Sequence, residues 1–256
     1  MTRRITCQKT SCRSGRTRRG HTRGLIIALD GPAGSGKSST AKALAKRIKV
    51  PFIDTGAMYR AVTLKAMRKN ISFKDVGALR RIAKSASIRL AGRDPKKQKV
   101  FLDAKDVTQA IRLPQVTQNV FYVAREPQIR GELVKKQREM GREKGGVMEG
   151  RDIGTVVFPK ADYKFYFEAD PRVRARRRLK ELIAAGQHAT FREVLFDIQK
   201  RDKSDFERKV GPLKRAEDAI FVDTSSLTID DTVDKILAII QSNPLKNRRL
   251  SSAIEA

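Results

Sequence analysis

The chain has 256 residues, 39% of them hydrophobic, which suits one large domain or one domain with inserted lobes. Its 56 Lys+Arg against 28 Asp+Glu give a net charge of +28, a balance that favours phosphate-bearing ligands, nucleic acid among them. No apolar run approaches the roughly 20 residues of a membrane helix, and no apolar h-region follows the basic start, so neither a membrane segment nor a secretory signal is expected.

Residues 1–23 carry Lys9 and seven arginines, no acid and almost no apolar side chain. Such a segment cannot bury enough surface to fold and is predicted to be a disordered basic arm. An RNA-binding arm, an organelle transit peptide and a misplaced translation start are the alternatives. Cys7 and Cys12 precede the first strand, so the fold does not depend on a disulfide, which suits a reducing cytosol. With His21 they lack the paired spacing of a zinc site.

From Leu25 the pattern alternates strand and helix. Leu25–Leu29 is an unbroken apolar run, as in a strand buried on both faces. A glycine loop and an alanine-rich helix, Ser39 to Ile48, follow it, then a short strand at Phe52-Ile53 and a helix from Ala57 to Lys69. Ser72 reads as the N-cap of a helix carrying Leu79, Ile82 and Ala83. Ser87–Leu90 and Val100–Leu102 read as two strands joined through Gly92-Arg93-Asp94-Pro95, a hairpin that interrupts the alternation and marks an inserted lobe. Helices are predicted at Pro114–Glu126, Pro127–Lys144, Val173–Ala185, Phe191–Arg201 and Ile229–Gln241, and strands at Val147–Glu149, Tyr163–Phe167 and Ala219–Val222. Repeated β-then-α order implies an α/β fold with a parallel sheet covered on both faces. Asn243-Pro244 ends the last helix, and a polar tail follows over residues 244–256. No apolar stripe is left over once this fold is built, so a monomer is expected.

Gly31-Pro32-Ala33-Gly34-Ser35-Gly36-Lys37-Ser38 fits the phosphate-loop pattern G-x-x-x-x-G-K-[ST] between a buried strand and a helix. The glycines let the backbone curl so that several N–H groups point at one phosphate, and the helix aims its positive end the same way. Lys37 is placed to reach the transferred phosphate, and the Ser38 hydroxyl to ligate Mg²⁺. Binding of a nucleoside triphosphate is the firmest inference from the residues alone.

Ligands of open α/β sheets bind beyond the carboxyl ends of the strands. Those ends carry Asp54-Thr55-Gly56, Glu149-Gly150-Arg151-Asp152 and Asp223-Thr224. At 100° per residue from Arg172, Arg174, Arg177 and Arg178 fall opposite the apolar face of Ala175, Leu179, Leu182 and Ile183. In the next helix the apolar stripe Phe191, Val194, Leu195, Ile198 continues onto Arg201, Asp205 and Arg208. Charges on a core-facing line are costly unless they meet a ligand or each other.

Together, Gly31–Ser39, Asp54-Thr55-Gly56-Ala57-Met58-Tyr59-Arg60, Gly150-Arg151-Asp152-Ile153-Gly154-Thr155-Val156-Val157-Phe158-Pro159 and Arg201-Asp202-Lys203-Ser204-Asp205 closely resemble the bacterial cytidylate kinase family, from about Leu25 to about Gln241. The resemblance implies a P-loop nucleoside monophosphate kinase domain over residues 24–243. Within it are expected an inserted acceptor-binding lobe near residues 71–113 and an arginine-rich lid near 171–210. It implies a cytoplasmic enzyme that phosphorylates CMP or dCMP with ATP and Mg²⁺, through a loop of Gly31, Pro32, Ala33, Gly34, Ser35, Gly36, Lys37, Ser38 and Ser39. Thr55, Arg60, Arg130, Arg151, Asp152, Arg201, Asp205 and Arg208 are expected to line the acceptor site. Of these, Arg60, Arg151 and Arg208 would hold the monophosphate, Arg201 and Asp205 the sugar, and Arg130 and Asp152 the base. Arg174, Arg177 and Arg178 would belong to the lid and, with Lys37 and Arg151, to catalysis. Phe121 stands where the family often has serine at the base pocket, Thr55 replaces a common serine, Ser204 a frequent arginine, and Glu149 the usual aspartate. A uridylate or shikimate type of kinase is the nearest rival. A nucleic-acid-binding ATPase is disfavoured, because 11 Phe, 4 Tyr and no Trp offer no aromatic-rich basic platform.

Overall fold

The apolar run from Leu25 becomes β1 (Ile26–Asp30), buried along its whole length, at the centre of a five-stranded parallel sheet. The computed structural model describes residues 24–92, 94–184 and 186–242. The predicted arm with Cys7, Cys12 and His21, the polar tail, Arg93 and Ala185 lie outside the described residues.

The other strands of the sheet are β2 (Phe52–Asp54), β6 (Gly146–Gly150), β7 (Tyr163–Glu168) and β8 (Ile220–Asp223), in the order β2-β6-β1-β7-β8. Residue alternation sends Ile27 and Leu29 of β1 to one face, where they meet Leu44 of α1 (Lys37–Arg47) and Ile236 and Ile240 of α8 (Ile229–Gln241). Ile26 and Ala28 face the other way, toward Val134 of α5 (Pro127–Lys144). A third cluster lies beyond the sheet. It joins α2 (Thr55–Arg68), α3 (Val76–Ser85), α4 (Pro114–Ala124) and α5 to a small antiparallel sheet of β3 (Ile88–Ala91), β4 (Lys99–Leu102) and β5 (Lys105–Asp106). Two helices, α6 (Pro171–Ala184) and α7 (Phe191–Glu207), pack on each other through Ala175, Val194 and Ile198.

Several boundaries differ from the sequence reading. α3 is capped by Asp75, whose carboxylate accepts from Ala78 N at 2.8 Å, whereas the Ser72 hydroxyl accepts from Lys74 N within a preceding turn. β3 and β4 pair antiparallel as the expected hairpin, Ile88 opposite Leu102 and Ala91 opposite Lys99, and their connection holds a 3₁₀ turn, Pro95–Lys97, capped by Asp94. The tight turn comes one strand later, at Asp103 (φ 48°) and Ala104 (φ 67°), and creates the unforeseen β5. Such turns usually announce themselves with Asn-Gly. Here Asp103 is held instead by Ser87 N at 3.0 Å and Lys65 Nζ at 2.6 Å. α7 runs past Arg201 to Glu207, and a π-helical turn, Ile153–Val157, follows β6.

The corrected cap is testable. Asp75→Ala should cost about 1 kcal/mol, the usual loss of an N-cap, while Ser72→Ala should cost only about a few tenths. Urea unfolding of both variants checks this, and equal losses would contradict Asp75 as the cap.

Candidate active site

Parallel pairing sets the site's geometry. β1 and β6 stay in register to their last residues, Asp30 opposite Gly150, and β2 aligns Asp54 with Glu149. Three strands therefore release their polar residues at one edge. The phosphate loop leaves β1 at Gly31, whose φ of 147° and approach to the Phe167 carbonyl exclude any side chain. Lys37 is only 4% exposed, and its Nζ donates to Pro32 O at 2.5 Å and to Ser35 Oγ at 3.2 Å. Burial holds its pKa well below the usual lysine value; Arg151 pushes the same way, while Glu149, Asp30 and Asp205 oppose. Ser38 Oγ donates to Glu149 Oε2 at 2.5 Å. Burial, helped by Asp54, pushes the Glu149 carboxyl up to about 6.

The expected acceptor residues converge on the same edge. Arg151 Nε donates to Asp205 Oδ2 at 2.8 Å, joining the end of β6 to α7, and Arg208 Nη1 reaches the other oxygen of Asp205 at 3.4 Å. Arg130 and Asp152, 2% and 5% exposed, form a buried ion pair, with Arg130 Nη1 also donating to Ala124 O at 3.1 Å. Gly211, at φ 57°, lies against both members of that pair, and its carbonyl accepts from Arg208 Nε. Arg201 is held down to about 10, first by burial and then by Arg151. Arg60 is depressed by burial against the support of Asp54. Among the described residues, Arg60 Nε, Arg130 Nε, Arg208 Nη2 and Tyr59 OH are buried with no hydrogen-bond partner, so the site holds donors beyond those its own carboxylates satisfy. Thr55 is engaged differently: its hydroxyl donates to Glu149 O at 2.6 Å and ties α2 to β6. Phe121 is 41% exposed and rests edge-on against Tyr122, on the helix whose Ala124 carbonyl anchors Arg130.

The three arginines of α6 separate. Arg174 does not share an outward face with the others; it is buried beside Ala175. It donates to Ala169 O at 2.9 Å, Ala33 O at 3.1 Å and Asp202 Oδ2 at 2.6 Å. Arg177 Nη2 donates to Thr224 O at 2.5 Å, and the Thr224 hydroxyl donates to Ser35 O at 2.9 Å, so this arginine also leans on the phosphate loop. Arg178 is exposed and pairs with Glu181 at 2.9 Å. Helical projection from Arg172 misplaced Arg174 because hydrophobicity, not hydrogen-bonding capacity, defined the inward face.

Sequence reading also passed over Asp202, although it sits four residues after Ile198 on the inward stripe. Glu149 is read as a strand-end residue and as a departure from a pattern, but the sequence reading assigns it no role. Its signal was its position at a strand end, where β6 presents it to Ser38 across β1.

Comparison with known proteins gives the family. The family model described as cytidylate kinase matches residues 27–242. A protein named cytidylate kinase from Desulforamulus reducens is 50% identical over 84% of this chain and 96% of its own. Proteins of the same name from Caldanaerobacter subterraneus and Anoxybacillus flavithermus are 47% and 46% identical over 85% of this chain, and over 95% and 96% of theirs.

The contrast within α6 is measurable. Arg174→Ala should destabilise the protein by about 3 kcal/mol, because it strands the buried Asp202 carboxylate. Arg178→Ala should stay within about 0.5 kcal/mol, as an exposed pair does. Equal midpoints in chemical denaturation would overturn the assignment of Arg174 as a buried strut.

Proposed function

The chain belongs to the cytidylate kinase family, and from that membership and the site we infer that it moves the terminal phosphoryl group of ATP to CMP or dCMP, giving ADP and CDP or dCDP. The observation that carries the reading is the shared edge of β1 and β6, where the phosphate-loop lysine and the Arg151–Asp152 segment start side by side. One strand end serves a triphosphate and its neighbour serves an acceptor.

An acceptor monophosphate is already an anion at neutral pH, so the reaction needs alignment and charge neutralisation more than a strong base. Lys37 would leave Pro32 O for the transferred phosphate. Arg60, Arg151 and Arg208 would hold the acceptor phosphate, and Arg201 and Asp205 the sugar. Thr55 would line the acceptor site while fixing its floor through Glu149 O. The Ser38 hydroxyl and the Glu149 carboxylate are hard oxygen donors 2.5 Å apart, a pair that fits Mg²⁺, and both would hold it. When bound, the ion neutralises phosphate oxygens. Arg177 and Arg178 would reach toward the phosphates as a lid, and Arg174 would brace the loop. Exclusion of water by that lid protects the phosphoryl group from hydrolysis. The small sheet β3–β5 with α3 would form the acceptor lobe. We further propose a monomer working in the cytoplasm.

Base choice follows from Arg130 and Asp152. Cytosine offers an amino donor at N4 and acceptors at N3 and O2; a carboxylate only accepts and a guanidinium only donates. Opening the buried Arg130–Asp152 pair to take the base replaces one set of charge-assisted hydrogen bonds with another. Uracil presents O4 to the carboxylate and leaves buried acceptors unpaired.

Lys37→Ala should lower turnover by about 10² to 10³ or more while the protein stays folded. Coupled detection of ADP release checks it, and near-normal turnover would sink the loop assignment. Asp152→Asn should lose most CMP activity and shift the kcat/KM ratio of CMP to UMP toward UMP by about tenfold or more, since an amide can donate to O4. An unchanged ratio would show that Asp152 does not read the base.

A further inference from the structure

Asp30 is the last residue of β1, one position before the phosphate loop, and it is 5% exposed. Its Oδ1 accepts from Ile153 N at 2.8 Å and its Oδ2 from Gly154 N at 2.7 Å. These two N–H groups open the π-helical turn after Asp152, so they are donors that the turn itself cannot satisfy. Both carboxylate oxygens are thus committed to the neighbouring chain segment. The register explains why this matters. Asp30 and Gly150 are the last paired residues of β1 and β6; beyond them the backbones part, one into the phosphate loop and the other into Arg151 and Asp152. No ladder hydrogen bond fixes their relative position past that point. The Asp30 carboxylate crosses the parting and closes it.

We propose that Asp30 is a positioning residue that fixes the Arg151–Asp152 segment relative to the phosphate loop through the amides of Ile153 and Gly154. This rests on Arg151 and Asp152 being acceptor contacts. Asp30 is assigned no contact with either nucleotide, because these amides take both of its oxygens. Burial pushes its carboxyl up to about 6 against the two amide bonds, and Asp152 pushes the same way while Lys37 opposes, so the group is held at a cost between the two halves of the site. A pair of N–H donors in parallel is met best by an acceptor with two equivalent oxygens.

Asp30→Asn keeps the size but turns one oxygen into an NH₂ that faces an N–H. The expected result is a rise of about tenfold or more in KM for CMP, a change of less than about twofold in KM for ATP, and a fall of about a few degrees in melting temperature as one buried N–H loses its acceptor. Arg151→Ala is measured beside it. If Arg151→Ala raises KM for CMP and Asp30→Asn does not, the positioning role fails and the acceptor reading stands. If neither raises it, the acceptor reading fails and the role of Asp30 with it. Should Asp30→Asn not fold, amide hydrogen exchange on the unsubstituted protein decides: Ile153 and Gly154 must exchange slowly without nucleotide, and exchange at the rate of an open loop would overturn the proposal.

Discussion

The parallel register of β1 with β6 is the constraint from which the site follows. Parallel strands release their chains at the same edge, and hydrogen-bonded neighbours lie only about 4.8 Å apart. Asp30 opposite Gly150 therefore brings a loop that wraps phosphate beside a segment that carries Arg151 and Asp152. β2, one strand further, adds Asp54 and Thr55. Neither the helices nor the small antiparallel sheet could create this proximity. They decide what covers it.

Charge management is the second theme. Arg130, Arg151, Arg201 and Arg208 gather around Asp152 and Asp205, and Arg60 stands beside Asp54 and Glu149. Like charges at this density repel, and burial strengthens the repulsion. Arg151 and Arg130 are relieved by their carboxylate partners and held above the ordinary arginine value. Arg60, Arg201 and Arg208 are held below it, burial being the first cause. The cluster is therefore under-neutralised by its own acids, which is the electrostatic condition for holding a phosphate. It also explains part of the net charge of +28 without invoking nucleic acid.

Much of this was legible in the chain. The unbroken run Leu25–Leu29 announced a central strand, and the phosphate loop announced its own position because it needs glycine at fixed places. The periodic stripe of α7 pointed to Arg201, Asp205 and Arg208 even though the helix was expected to stop at Arg201, since period matters more than the endpoint. What stayed hidden depends on contacts remote in sequence. Asp103-Ala104 is a poor turn signal, because the partners that stabilise it, Lys65 and Ser87, lie elsewhere. Arg174 looked outward because its acceptors Ala33, Ala169 and Asp202 are brought in only by folding. Asp30 gave no signal, for the amides it holds lie 123 and 124 residues away.

The buried guanidinium of Arg174 also sets the mechanics of the α6–α7 pair. Because it grips carbonyls of the phosphate loop and of the residue after β7, the first turn of α6 belongs to the rigid body of the sheet. Swinging both helices as one lever would keep Arg174 with Asp202 but tear its buried guanidinium from Ala33 O and Ala169 O, a costly fulcrum. Bending at the far end, past Arg178, disturbs only the partly buried packing of Leu179 and Leu182 and the exposed Arg178–Glu181 pair. The compliant part of this arm is thus its tip, and Arg178 rides where the stiff root gives way.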